Sequence, residues 1–154
     1  MRFSSKAATG LLCVLCAFPA AASAAPEDFA SGAFKTSSFG GLTGNFTGHG
    51  TPLAAHGQIH FDQQIPGSPF SRLKGEVDCV FVHGNSATLT GRLTRGGGGN
   101  TFFQMGVTDN DGQPGNPPDG FNIALTPFEL GCAFAFDGVI PIEQGNIVVK
   151  DITP

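Results

Sequence analysis

The clearest pattern along the chain is an alternation of apolar and polar residues with a period of two. From Leu73 to Thr94 apolar and small residues alternate with charged and hydroxyl residues, and the Gly84-Asn85 dipeptide divides the run in the middle. Successive side chains of a β-strand point to opposite faces, and a Gly-Asn pair favours a tight turn. This block therefore predicts a β-hairpin with one apolar and one polar face, and Cys79 falls on the apolar face.

Shorter runs of the same kind predict further strands along the rest of the chain. They are Gly57 to Phe61, Thr101 to Thr108, Phe121 to Leu125, Cys132 to Phe136 and Ile147 to Val149. Tracts rich in Gly and Pro separate them, and no sustained helical pattern occurs. We expect an all-β fold, a small antiparallel meander of about seven or eight strands that forms a β-barrel or a β-sandwich.

The N-terminal segment has the features of a secretory signal. Arg2 and Lys6 precede an apolar run, which ends at the small-residue site Ala22-Ser23-Ala24. The run is shorter than the roughly 20 apolar residues that span a bilayer, and Pro19 interrupts it. We expect residues 1–24 to be cleaved, no membrane span in the mature chain, and a secreted or periplasmic protein.

The chain after the signal divides into two parts by composition. Residues 25–52 are rich in Gly, Ser and Thr and predict either a loose N-terminal arm or a pair of edge strands. Residues 53–154 carry the strand patterns and form the predicted β-domain core. The mature chain would begin at Ala25.

Charge and aromatic composition narrow the classes of partner. The chain of 154 residues has 8 basic and 12 acidic residues, with a net charge of −4, and its aromatic residues are 15 Phe with no Trp or Tyr. A nucleic-acid-binding surface needs a basic footprint, so we expect no nucleic-acid partner. Signal cleavage removes two of the basic residues and makes the mature chain more acidic.

Cleavage also removes two of the four cysteines, which leaves Cys79 and Cys132. In an oxidising compartment two cysteines usually pair, so we predict a disulfide between them. The alternative is two buried, unpaired thiols. A zinc site is disfavoured because no Cys-x-x-Cys spacing remains.

An acidic loop is the candidate metal site. Asp109, Asp111 and Asp119 lie within eleven residues, together with glycines and prolines that favour fixed turns. Ca²⁺ prefers carboxylate and carbonyl oxygens, so the loop predicts a Ca²⁺ site. The alternative is an ordinary turn cluster, since Asp, Asn, Gly and Pro are the usual turn residues.

Candidate catalytic residues are few and scattered. Asp62, Glu76 and Asp78 lie on the polar faces of predicted strands, where paired carboxylates could serve acid–base chemistry. His56 and His60 lie four residues apart, which on a strand separates them by about 13 Å, too far to share one metal ion. The chain lacks a G-x-S-x-G motif, and these observations favour a non-catalytic protein.

The hairpin block resembles a recurring element of small secreted bacterial β-domain proteins, a group of uncharacterised function. The likeness rests on Val77 to Gly91, a strand with one Cys that runs into a Gly-Asn turn and a second strand, and on Val107-Thr-Asp-Asn110, after which a second Cys follows. It extends over roughly His56 to Val149. The resemblance implies a secreted bacterial β-domain and transfers no catalytic residue.

Together these observations predict a secreted, disulfide-stapled β-domain with a non-catalytic structural or binding role. One alternative is a small β-barrel enzyme, a hydrolase or lyase that uses Asp, Glu or His. The other is a carrier whose phenylalanine-lined interior holds a small apolar ligand.

Overall fold

The structure is a computed structural model that describes residues 27–111, 114–132 and 136–152. These residues contain nine β-strands and one short 3-10 helix at Ser38–Gly40, so the predicted all-β class is confirmed. The strands are β1 (Asp28–Thr36), β2 (Leu42–Thr51), β3 (Ala54–Gln63), β4 (Leu73–His83), β5 (Ser86–Arg95), β6 (Phe102–Thr108), β7 (Gly120–Thr126), β8 (Ile140–Pro141) and β9 (Gln144–Lys150). The predicted signal peptide, residues 1–24, lies outside the described residues.

All nine strands belong to one antiparallel sheet with the order β8-β7-β6-β5-β4-β3-β2-β1-β9. The two edge strands, β8 and β9, are separated in the chain by only Ile142 and Glu143. The sheet must therefore curl far enough for this two-residue link to join its two edges, which gives a half-barrel. The Glu143 N–H donates to the Lys35 carbonyl of β1 (2.9 Å). Ser37 donates to the Glu143 carboxylate through its hydroxyl and its N–H, and these two hydrogen bonds lower the pKa of that carboxyl group.

The Gly- and Thr-rich segment before residue 52 forms two full strands within this sheet. β1 pairs with β2 over nine residues and also with β9, and β2 pairs with β3 on its other side. Both strands are therefore interior strands. In both strands an inward-facing phenylalanine is adjacent to an inward-facing glycine: Phe34 to Gly32 in β1, and Phe46 to Gly44 and Gly48 in β2.

The inner face of the curled sheet holds the hydrophobic core, and phenylalanine rings fill it by packing over glycines. A Cβ on Gly44 would lie 2.7 Å from the Phe34 ring and 2.8 Å from the Phe61 ring. A Cβ on Gly75 would lie 2.8 Å from the Phe103 ring. Five phenylalanines of the core are almost fully buried: Phe34, Phe46, Phe61, Phe103 and Phe121.

A β-bulge in β4 corrects the predicted orientation of Cys79. Val77 pairs with Gly91 and Cys79 with Thr90, so Asp78 is an extra residue in β4. One extra residue transfers every later side chain to the other face of the sheet. Val80 packs in the core with Leu89, and Cys79 lies on the outer face beside Thr90. The prediction that Cys79 points into the core is wrong.

The predicted strand from Cys132 to Phe136 is described only at its two ends, because residues 133–135 lie outside the described residues. Cys132 and Phe136 are not in a strand; they belong to a segment, residues 127–132 and 136–139, that we call the outer strap. Its Phe136 N–H donates to the Thr88 hydroxyl of β5 (3.0 Å). The Gly138 N–H donates to the Thr108 hydroxyl of β6 (3.1 Å), so the strap lies across the outer face of β5 and β6.

A disulfide between Cys79 and Cys132 fastens the outer strap to β4. The predicted pairing is confirmed, with Cα atoms 6.0 Å apart. Under the strap Thr88 is 0% and Thr90 2% exposed. The outer face of the predicted hairpin is therefore polar, and the part of it under the strap is buried.

Candidate functional site

The outer face of β2, β3 and β4 carries a groove at the place where β3 and β4 separate. Their ladder extends only from Phe61 with Leu73 to Gln58 with Glu76, although both strands continue beyond it. Two adjoining depressions of about 430 and 290 Å³ lie there, and both are lined by Gln58 and Glu76. We call them together the β3–β4 groove, and its polar lining consists of Asn45, Thr47, His56, Gln58, His60, Lys74, Glu76 and Thr94.

Strand alternation presents these side chains to solvent. Asn45 pairs with His60 and Thr47 with Gln58, and each of these positions lies between inward-facing core residues. Gly57 lies between two groove residues and has a φ of 153°, and a Cβ there would lie 2.1 Å from the Thr47 carbonyl oxygen. Only glycine allows the two backbones to approach this closely.

A row of rings crosses three strands at one end of the groove. The imidazole of His56 stacks on that of His49, with ring centroids 5.4 Å apart and planes 13° from parallel. His49 in turn contacts Phe29 on β1, with a centroid distance of 4.6 Å. His56 is thereby held at one end of the groove, and His60 lines the other depression.

The groove is bordered by cations on β4 and β5. Lys74 lies in register with His60 on one side and with Arg95 on the other. Arg92 pairs in register with Glu76, and its guanidinium lies 5.2 Å from the centre of the Phe102 ring. A molecule bound in the groove would therefore meet amides, hydroxyls, one carboxylate and the Lys74 ammonium group, with Arg92 and Arg95 on the neighbouring strand.

The three carboxylates predicted as catalytic candidates occupy different surroundings. Glu76 lines the groove, whereas Asp62 accepts a hydrogen bond from the Arg72 N–H (3.3 Å) where the chain enters β4. Asp78 lies at the bulge, where partial burial and the nearby Glu129 carboxylate raise its pKa. No shared hydrogen bond links these three acids.

The acidic loop uses two of its three predicted calcium ligands to bind backbone. The Asp119 carboxylate accepts from the Asn110 N–H (2.9 Å) and the Ile147 N–H (2.8 Å). Asp109 accepts from the N–H groups of Asp111 (2.9 Å) and Val149 (3.1 Å). These carboxylates therefore satisfy N–H groups on the open edge of β9, the edge that does not pair with β1.

Among residues 27–111, 114–132 and 136–152, no group of three or more His, Cys, Asp or Glu side chains is arranged to hold a metal ion. Gly112 and Gln113 of this loop lie outside the described residues. The calcium site stays a prediction, and thermal unfolding in millimolar Ca²⁺ against EDTA tests it. A site saturated a hundredfold above its dissociation constant would add about 2.7 kcal/mol to the free energy of unfolding.

Sequence reasoning identified most side chains of the groove as members of polar strand faces but did not bring them together. The missing information was the separation of β3 from β4 and the path of the outer strap. The one local sequence signal near the groove is Gly57, because an isolated glycine in a strand pattern indicates a close approach between two backbones.

Comparison with known proteins gives no match: no family model, no curated protein and no solved structure matches the chain. The described residues include no helix with the length and apolarity needed to cross a membrane.

Proposed function

We propose that this protein is a secreted, disulfide-stapled β-domain with a non-catalytic binding role, and that the β3–β4 groove is its ligand site. One observation carries the proposal: hydrogen-bonding side chains from four strands line a single groove, on a part of the outer face that the outer strap leaves open. The Cys79–Cys132 disulfide supports an oxidising compartment, as expected for a protein exported by the N-terminal signal.

The groove is suited to a polar ligand. The amides of Asn45 and Gln58 each offer two donors and an acceptor, and the hydroxyls of Thr47 and Thr94 can both donate and accept. These groups lie on paired strands, which fix their spacing before a ligand arrives. Preorganised hydrogen-bonding groups lower the entropic cost of binding.

Two features support binding over the alternatives raised by the sequence. The core packs phenylalanine rings against inward-facing glycines, so the inner face at Gly44 and Gly75 is filled, and an interior apolar ligand would have to displace these rings. The acids of an enzyme would need to converge on one reacting group, whereas Asp62 and Asp78 have partners of their own and only Glu76 lines the groove.

Chemical-shift mapping of the secreted protein tests this proposal. The mature chain, whose N-terminus is first checked by sequencing, is titrated with a panel of neutral and anionic oligosaccharides and unstructured peptides. We expect at least one class to shift the amide signals of β2, β3 and β4 around the groove. Shifts confined to other surfaces, or no shifts with any class, would contradict the proposal.

A matched pair of variants tests whether the ligand binds in the groove. Asn45→Ala/Gln58→Ala removes the two groove amides and should weaken binding by about tenfold or more, the usual effect of losing one or two hydrogen bonds. Gln64→Ala/Gln144→Ala removes two exposed amides outside the groove and should leave the affinity unchanged.

A further inference from the structure

Charge is unevenly distributed over the outer face. The described residues contain six basic side chains, and four of them, Arg72, Lys74, Arg92 and Arg95, lie in β4, in β5 or directly before β4. Only three of the twelve acidic side chains accompany them on these strands or the neighbouring β3: Asp62, Glu76 and Asp78. The border of the groove is therefore slightly positive on a molecule that is otherwise strongly negative.

Within this border, like charges are placed opposite one another. Lys74 and Arg95 are register partners on adjacent strands. Like charges directly opposite in a sheet are destabilising. None of the four cations lies within ion-pair distance of a carboxylate of the described residues. Arg92 already acts electrostatically on Asp78 and lies over the Phe102 ring, so Lys74 and Arg95 are the charges that remain available to a ligand.

An anionic ligand would relieve this repulsion. A carboxylate placed between Lys74 and Arg95 would meet two cations, and charge-assisted hydrogen bonds are about twice as strong as neutral ones. The amides and hydroxyls of the groove lie next to this position and match the hydroxyl groups of a sugar. Charge and hydrogen bonding together therefore fit a chain that carries both carboxylates and hydroxyls.

Exposed apolar side chains lie elsewhere on the molecule. The large hydrophobic residues that reach solvent are Phe39, Leu53, Ile65, Phe128, Val139 and Ile152, and none of them lines the groove. A peptide or a lipid surface would use apolar anchors in addition to charge. The groove also spans about 13 Å from His56 to His60, enough for a short run of sugar units.

We propose that the β3–β4 groove binds an acidic polysaccharide through carboxylate groups held by Lys74 and Arg95. This inference rests on the proposed binding function and names the class of ligand. The sugar hydroxyls bind the neighbouring amide and hydroxyl side chains, and Arg92 and Arg72 extend the positive border along the chain of the ligand.

Isothermal titration calorimetry with defined probes tests the inference. The mature protein is titrated with an oligogalacturonate, with a neutral cello-oligosaccharide of equal length, and with vesicles that contain phosphatidylglycerol. We expect binding to the oligogalacturonate alone, with an affinity that falls steeply between about 20 and 500 mM salt, because salt screens exposed charges.

Two charge reversals of equal size locate the contact. Lys74→Glu/Arg95→Glu should weaken oligogalacturonate binding by about a hundredfold, since two charge-assisted contacts are replaced by repulsion. Lys35→Glu/Lys150→Glu changes the net charge by the same amount at positions on β1 and β9 and should change the affinity by no more than about twofold. Both pairs are on the surface, and matching melting temperatures show that each variant folds.

The outcomes separate this inference from the proposed function. Equal binding of the neutral oligosaccharide, insensitive to salt, would overturn the acidic ligand but leave the groove a binding site. Binding to the vesicles in place of the oligogalacturonate would overturn the polysaccharide and indicate a membrane surface. Absence of binding to every probe, with no shifts in the groove from any ligand class, would overturn both.

Discussion

The outer face of this sheet consists of two regions with the same kind of sequence and different surroundings. On β5, Thr88 and Thr90 point outward and are 0% and 2% exposed, because the outer strap covers them. On β2, Thr43 and Thr47 occupy equivalent outward positions and are exposed to solvent. Alternation thus determines which face of a strand is polar, but a second layer of chain decides whether that face meets water.

Different interactions stabilise the covered region and the open region. The covered region is held by the disulfide at the β4 bulge and by strap N–H groups bonded to threonine hydroxyls. The open region is held by the strand ladders and the inward-facing core, which leaves its outer side chains free for a ligand. Burial in one region and availability in the other therefore follow from the path of the outer strap.

The largest expected effect comes from releasing the strap. Cys79→Ser/Cys132→Ser removes a crosslink between residues 53 apart in sequence, and the chain-entropy model gives a loss of about 4 kcal/mol. Urea unfolding of the double variant measures it. Hydrogen exchange should speed up under the strap, at Thr88 and Thr90, and remain slow in β1 and β2.

Reduced wild-type protein is the control for this change, and it should lose the same stability. Free-thiol labelling of denatured, unreduced protein should detect no thiol. Two labelled thiols per chain would contradict the disulfide, and equal acceleration of exchange in both regions would contradict the separate role of the strap.

The next effect comes from the open edge of β9, where the curl of the sheet is fixed. In Asp119→Asn an amide N–H₂ replaces one of two carboxylate oxygens that accept from the Asn110 and Ile147 N–H groups, and we expect a loss of about 2–3 kcal/mol. Asp111→Asn makes the same substitution at an exposed loop position and should cost less than about 0.5 kcal/mol. Chemical denaturation compares the two, and equal losses would contradict the assigned role of Asp119.

A smaller loss of stability is expected when a threonine under the strap is replaced, and it can be compared with the same change on the open face. Thr88→Val removes the acceptor of the Phe136 N–H and should cost about 1–2 kcal/mol, because that donor is left unpaired under the strap. Thr47→Val is the same change on the open face and should stay within about 0.5 kcal/mol, since Val and Thr both favour strands. Thermal unfolding measures both variants. A Thr88→Val variant as stable as Thr47→Val would show that the strap bond contributes nothing.

The smallest effect is electrostatic and lies at the border between the regions. Burial and the Glu129 carboxylate raise the pKa of Asp78 above its ordinary value of 3.8, so the folded state binds its proton more tightly than the unfolded state. Ionisation of Asp78 therefore costs stability as pH rises from the unfolded pKa through the folded pKa. Asp78→Asn removes that cost and should stabilise the protein at pH 7 by a few tenths of a kcal/mol, because solvent screens the site.

Urea unfolding between pH 3 and pH 7 checks the sign of this effect. The gain from Asp78→Asn should vanish at low pH, where the wild-type carboxyl is protonated in both states. Glu76→Gln controls for the change in net charge. A gain from Asp78→Asn that does not exceed that of Glu76→Gln, or that grows on acidification, would contradict the assignment.

Part of the candidate site could be predicted from the sequence. The polar alternation of β3 and β4 placed His60, Lys74 and Glu76 on outward faces, and the structure keeps them there. That alternation contains no information about where β3 leaves β4, and hence none about the groove. Cysteine counting predicted the Cys79–Cys132 pair correctly, although the bulge places Cys79 on the outer face and not on the expected apolar face.

The sequence by itself determined the all-β class, most strand positions, the β4–β5 turn and the disulfide, because strand periodicity, turn residues and cysteine number are local or compositional properties. Only the tertiary structure decided the curl that brings β8 and β9 together, the bulge that turns Cys79 outward and the covering of Thr88 and Thr90. These features depend on contacts between residues far apart in the chain. A pattern with a period of two is the same whether another segment packs across it or water does.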